Sequence, residues 1–116
     1  MNIDKEEVTR RAFQRYKSGE SYEDSVWYLA ELSAKINKNI IDGYDIKPLE
    51  TDNIIVLLRE DVNGEVKSPS EDEIKLVAEI IYNEAPPKSE LHWFIEEKSL
   101  LLEEIEKIIN NNKSNS

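Results

Sequence analysis

The stretch SYEDSVWYLAELSAKINKNI constrains this chain more than any other, because its inward-facing positions recur only at the period of a helix. Tyr22, Val26, Leu29, Ser33, Ile36 and Ile40 follow one another at steps of three and four residues, which puts them on one side of an α-helix. Ser21, with Asp24 three residues on, supplies the N-cap, and Gly43 the stop. Trp27, Ala30, Ala34 and Ile41 widen the apolar face beyond a single seam, so this helix is expected at the centre of the fold, packed on two sides.

The neighbouring segments read the same way. In NIDKEEVTRRAFQRYKSGE, Asp4 caps a helix from about Lys5 to Lys17, with Val8, Ala12, Phe13 and Tyr16 at helical spacing and Gly19 closing it. Ser70 and Glu73 form a capping box ahead of IKLVAEIIYNEA, where Ile74, Val77, Ile80 and Ile81 share a face until Pro86 and Pro87 end the helix. From Ser89 the run ELHWFIEEKSLLLEEIEKIINN places Leu91, Phe94, Leu101, Ile105 and Ile108 near heptad spacing, a long last helix that packs across the others.

One segment supports two structures. In DNIIVLLREDVNGEVKSP a helix would be capped by Asp52, present Ile54, Ile55, Leu58 and Val62 on one face, and stop at Asn63-Gly64. A β-hairpin at 53–67 is the alternative, although its second arm would carry only Val66 as a large apolar residue. The expected fold is therefore all-α, a compact bundle of four to five helices in one domain over 1–109, followed by a disordered polar tail at 110–116.

Residue types exclude much chemistry. The 116 residues contain no cysteine, which removes disulfides, thiolate metal sites and a cysteine nucleophile. His92 is the single histidine, so no His pair can hold a metal within one chain. It reads as a capping or packing residue. A Ser–His–Asp triad could be built around it, but no G-x-S-x-G elbow is present, and the expected function is not enzymatic. Asp61, Asn63 and Glu65 imitate the start of a calcium loop, yet Val66 stands where that loop needs glycine and Asp72 where it needs glutamate. No cofactor or metal is expected. No apolar run approaches the ~18–20 residues that span a bilayer, and the amino terminus lacks the apolar core of a secretory signal, so a cytoplasmic protein is expected.

Charge is the strongest functional signal. The formal net charge is −10, and it is uneven: residues 1–48 carry 8 basic and 9 acidic side chains, residues 49–116 carry 7 and 16. Such a surface repels nucleic acid and attracts a basic protein. Between Glu50 and Glu73 there are 8 acidic and 2 basic residues. Glu71, Asp72 and Glu73 have a structural reason, since they meet the positive end of the helix that Ser70 caps. Glu60, Asp61 and Glu65 have none, and a phosphate-like array facing a basic cleft competes with a merely solvated acidic surface as their reading. Two tyrosines stand among charges as candidate aromatic contacts: Tyr44 between Asp42 and Asp45 on a loop, and Tyr28 on the helical face of Asp24, Glu31 and Lys35, where it could equally pack beneath the tail or a loop.

The segment AFQRYKSGESYEDSVWYLAEL, Ala12 to Leu32, resembles the beginning of the immunity proteins that neutralise colicin D and related RNase toxins, in which a short helix, a small-residue turn and a longer amphipathic helix follow in this order. The resemblance implies a small acidic helical protein whose carboxylates occupy the RNA-binding cleft of a basic toxin, and it transfers no individual residue. Two functions are thus expected to compete. One is an inhibitor that blocks a basic, nucleic-acid-handling protein, as a toxin immunity protein or phage anti-defence protein does. The other is a structural adaptor that uses the apolar edge of its last helix to oligomerise or join a complex.

Overall fold

A computed structural model describes residues 4–40, 46–50 and 66–114. They contain four helices and no strand: α1 (Lys5–Lys17), α2 (Tyr22–Lys38), α3 (Glu71–Glu84) and α4 (Lys88–Ser114). The protein is an all-α bundle. The stretch 51–65, where helix and hairpin compete, lies outside the described residues.

Local chemistry sets the helix ends. The Asp4 carboxylate accepts the Glu6 and Glu7 N–H groups, and the Ser21 hydroxyl accepts that of Asp24 at 3.1 Å. Ser70 and Glu73 make the reciprocal capping box, side chain to backbone in both directions. Between α1 and α2 the chain turns at Gly19, whose φ of 77° is open to glycine at no steric cost. After α3 the left-handed position is instead filled by Ala85, φ 46°, with Pro86 next to it opposing a further helical residue. An L-residue with a Cβ pays about 1–2 kcal/mol to sit there.

α2 ends at Lys38, before the glycine that the sequence offers as a stop. Asn39 explains the early end. Its side-chain amide donates to the Lys35 and Lys67 carbonyls at 2.8 and 2.9 Å, and its oxygen accepts the Lys67 N–H at 2.8 Å. Asn37 does the same for Ile46, in both directions at 3.2 and 2.9 Å. Each amide thus stands in for a strand, pairing with the backbone of a passing segment and fastening it to the end of α2.

The helices pack in the order α1, α4, α2, α3, with α4 between α1 and α2, and α2 between α4 and α3. The core joins Val26, Leu29, Ile36 and Ile40 to Ile74, Ala78 and Ile81 on one side and to Leu91, Ile95, Leu101, Ile105 and Ile109 on the other. Burying each such side chain contributes about 1.5–3 kcal/mol. α2 is central as expected, and α4 shares that position. α4 stays helical past residue 109, to Ser114, with no glycine or proline to interrupt the asparagine run.

α4 also buries polar groups. His92, Glu96, Glu97 and Lys98 are all inside, because α1, α2 and the 46–50 segment cover three of its flanks. Lys98, 1% exposed, donates to the Glu50 carbonyl at 2.9 Å and to Glu97, and lies 5.5 Å from the Phe94 ring centroid. A buried ammonium is tolerable only with such partners.

Candidate functional site

Two arrangements of polar residues could carry chemistry or recognition. The first is a chain of hydrogen bonds through the α1–α4–α2 junction. Arg15 Nε donates to Glu96 at 2.7 Å and Nη1 to Glu20 at 2.8 Å, Ser25 Oγ donates to Glu20 at 2.7 Å, and Ser25 Oγ lies 3.0 Å from His92 Nε2. Burial works against the Arg15 charge, but its hydrogen bond to Glu96 and the charges of Glu96 and Glu20 outweigh it and hold its pKa above the usual value. The Ser25 hydroxyl has two acceptors, Glu20 and the Ser21 carbonyl at 2.9 Å, and with its proton on either of them the contact to His92 Nε2 needs the imidazole as donor; His92 Nδ1 has no partner. Burial holds the imidazole pKa below its ordinary 6.5, the nearby Glu20 charge opposing.

Serine, histidine and glutamate in contact invite comparison with a hydrolytic triad. The geometry is different: the carboxylate bonds the serine, while the histidine Nδ1 that a triad acid would orient is unpartnered. Ser25 and His92 are both 0% exposed, and the Tyr16 ring packs edge-on against the imidazole with 5.9 Å between centroids. A substrate cannot reach them. The network positions helices.

The second arrangement is the surface. Arg10 and Arg11 pair with Glu7, Lys35 with Glu106, Lys38 with Glu73, Lys47 with Glu50, Lys75 with Glu71 and Lys107 with Glu104. Most described cations are therefore already engaged. Exposed Glu23, Glu31, Asp72, Glu79 and Glu84 have no ion pair or hydrogen bond to their carboxylates among the described residues. Their charge is felt locally: burial first, then Glu23, Tyr22 and Asp24, raises the pKa of the Tyr82 hydroxyl.

Among the residues singled out from the sequence, Glu71, Asp72 and Glu73 come together in the first turn of α3 and differ in state. Glu73 is committed to Ser70 and to Lys38 Nζ at 2.9 Å, and these hydrogen bonds, the backbone one first, lower its pKa to about 2. Glu71 lies 3.7 Å from Lys75, and Asp72 faces solvent without a cation. Tyr28 is partly exposed on α2, with the Arg15 guanidinium 4.9 Å from its ring centroid. Glu60, Asp61, Glu65 and Tyr44 lie outside the described residues.

The chain matches no family model, no curated protein and no solved structure. Among the described residues no group of three or more histidine, aspartate or glutamate side chains could hold a metal ion, and no helix is long and apolar enough to cross a membrane.

Apolar exposure is where sequence reasoning missed most. Trp27, expected to widen the α2 core face, is 37% exposed, and Ile80, expected in the α3 core face, is 49% exposed beside Leu76 at 63%. A signal existed: Leu76 and Ile80 form their own four-residue step, off the Ile74–Ala78–Ile81 face, with Asp72 and Glu84 continuing it at either end.

Proposed function

We propose that this chain is a non-enzymatic acidic inhibitor that binds a basic, nucleic-acid-handling protein in the cytoplasm and occludes its nucleic-acid surface, as a toxin immunity protein or a phage anti-defence protein does. One observation carries the reading: most described lysines and arginines are paired within the fold, while carboxylates on α2 and α3 face outward unpaired on a chain of net charge −10. Such a surface accelerates encounter with a basic partner and can occupy phosphate positions in its cleft, and the packed helices exclude nucleic acid by bulk. The resemblance of Ala12–Leu32 to colicin D-type immunity proteins adds support, as does the sealed Ser25–His92 contact, which offers no route to catalysis.

Glu60, Asp61, Glu65 and Tyr44 remain sequence-based candidates for the contact, as do Glu71, Asp72, Glu73 and Tyr28. Among the described candidates Asp72 has the freest carboxylate; Glu73 would have to leave Lys38 to serve. The test replaces Glu60, Asp61 and Glu65 together by Gln, Asn and Gln. Substitutions away from caps and core shift stability by only about 0.5 kcal/mol, and the thermal midpoint of the variant checks that this holds here. The expected result is slower association with the partner at low salt, with the difference from wild type shrinking as salt is added. Equal rates for variant and wild type at every salt concentration would remove this cluster from the mechanism.

A further inference from the structure

We propose that the flank shared by α2 and α3, centred on Trp27, Leu76 and Ile80, is the docking site for a basic amphipathic helix of the partner protein. The proposal rests on the acidic-inhibitor reading above and assigns its apolar anchor. Trp27, Glu31, Ala34 and Lys38 follow at helical spacing along one flank of α2, and Glu73, Val77, Ile80 and Glu84 along one flank of α3. The Lys38–Glu73 ion pair at 2.9 Å joins these two flanks across the helix–helix seam. Leu76 sits one four-residue step before Ile80 and extends the apolar surface outward.

Single exposed apolar residues are ordinary on a protein surface, but Trp27 and Ile80, 37% and 49% exposed, lie on the two flanks that the Lys38–Glu73 pair joins, with Leu76, 63% exposed, one step further out on α3, a grouping of the kind that receives a partner. Its edges select the partner. Glu23 and Glu31 stand one step to either side of Trp27, and Asp72 and Glu84 bracket Leu76 and Ile80, all four exposed and none in an ion pair. The lysines of these two helices, Lys35, Lys38 and Lys75, are held by Glu106, Glu73 and Glu71. An apolar centre rimmed by unpaired carboxylates complements a helix with apolar residues at i, i+3 or i+4 and i+7, flanked by lysine or arginine. A second copy of this chain would bring the same negative rim and be repelled, and nucleic acid offers neither the charge nor the apolar stripe.

The test uses the full chain and two synthetic peptides of equal positive charge, one an amphipathic helix of leucine and lysine, the other lysine without leucine. Calorimetry should show the leucine–lysine peptide binding at least about tenfold tighter, with the Trp27 indole N–H shifting in proton–nitrogen spectra. The double variant Leu76→Ser, Ile80→Ser should lose that advantage, keep its affinity for the lysine peptide, and unfold at the wild-type temperature. Equal binding of both peptides by wild type, or an unaffected double variant, would overturn the docking site while leaving the acidic-inhibitor reading in place. Failure to bind either peptide would remove both. A large fall in unfolding temperature would show that the chain itself covers this face, and a dimer that the leucine–lysine peptide does not dissociate would assign it to a second copy; either result overturns the proposal.

Discussion

Mild acid should destabilise this protein through His92 before its carboxylates begin to protonate. The imidazole is 0% exposed, and burial, with Lys88 and Arg15 acting in the same direction, depresses its pKa below 6.5 against the opposing charges of Glu20 and Glu96. The unfolded chain therefore binds the proton more readily than the folded one. His92 contributes fully above about pH 6.5, and its contribution is lost as the pH falls from there towards the lower folded pKa. Within that window the unfolded state holds up to one more proton, so stability falls by as much as about 1.4 kcal/mol per pH unit. His92→Gln keeps an amide that can donate to Ser25 but cannot titrate. Urea unfolding of both proteins from about pH 8 to pH 5 isolates the effect, because linear extrapolation gives each stability directly. The wild-type advantage over the variant should shrink as the pH falls across that range. An advantage that stays constant, or grows on acidification, would refute the reasoning. Growth would mean that the imidazolium, paired with Glu20 at 4.0 Å, is the folded form.

Three further outcomes follow from named contacts. Arg15→Met should cost about 2–4 kcal/mol in chemical denaturation, since Glu96 and Glu20 would lose their shared cation in a largely buried site. Ala85→Gly should raise the stability by about 0.5–1 kcal/mol, seen as a higher thermal midpoint, by relieving the left-handed alanine at the end of α3. Glu73 acts in a lower pH window than His92: its depressed pKa contributes stability that is present above about 4.5 and lost as the pH falls through about 2. Because the carboxylate is partly exposed, water screens the gain, and Glu73→Gln should flatten the acid limb of the stability curve only modestly below pH 4.5.

Features set by near neighbours were legible in the sequence. Asp4, Ser21 and the Ser70–Glu73 box act on N–H groups two or three residues away, so a linear reading finds them, and it places α1, α3 and the starts of all these helices closely. Buried polar groups were not legible. Arg15 meets Glu96 and Ser25 meets His92 only after α1, α2 and α4 pack, so no local pattern in the string LHWFIEEKSLL marks Glu96 as buried. The Asn37 and Asn39 clamps are hidden for the same reason, as their partners at Ile46 and Lys67 lie on separate passing segments. Periodicity also misassigned Phe13 and Tyr16, 61% and 54% exposed: Arg15 and Arg11 turn towards Glu96 and Glu103 on α4, Phe13 lies against Lys17, and Tyr16 meets α4 at the His92 ring. For the candidate site, the acid surplus was visible in composition. The separate step of Leu76 and Ile80 was visible in the sequence too, but the outward placement of Trp27 depends on how α3 packs against α2 and required the tertiary structure.

The most direct test of an acidic inhibitor is to isolate the protein that this chain binds in its native cell and measure that partner's nucleic-acid binding as the chain is titrated in. The account predicts a basic partner whose nucleic acid is displaced at one-to-one stoichiometry, with association that slows steeply as salt rises past about 0.1 M. A partner that holds its nucleic acid and this chain at the same time, or that joins at a rate independent of salt, would contradict it.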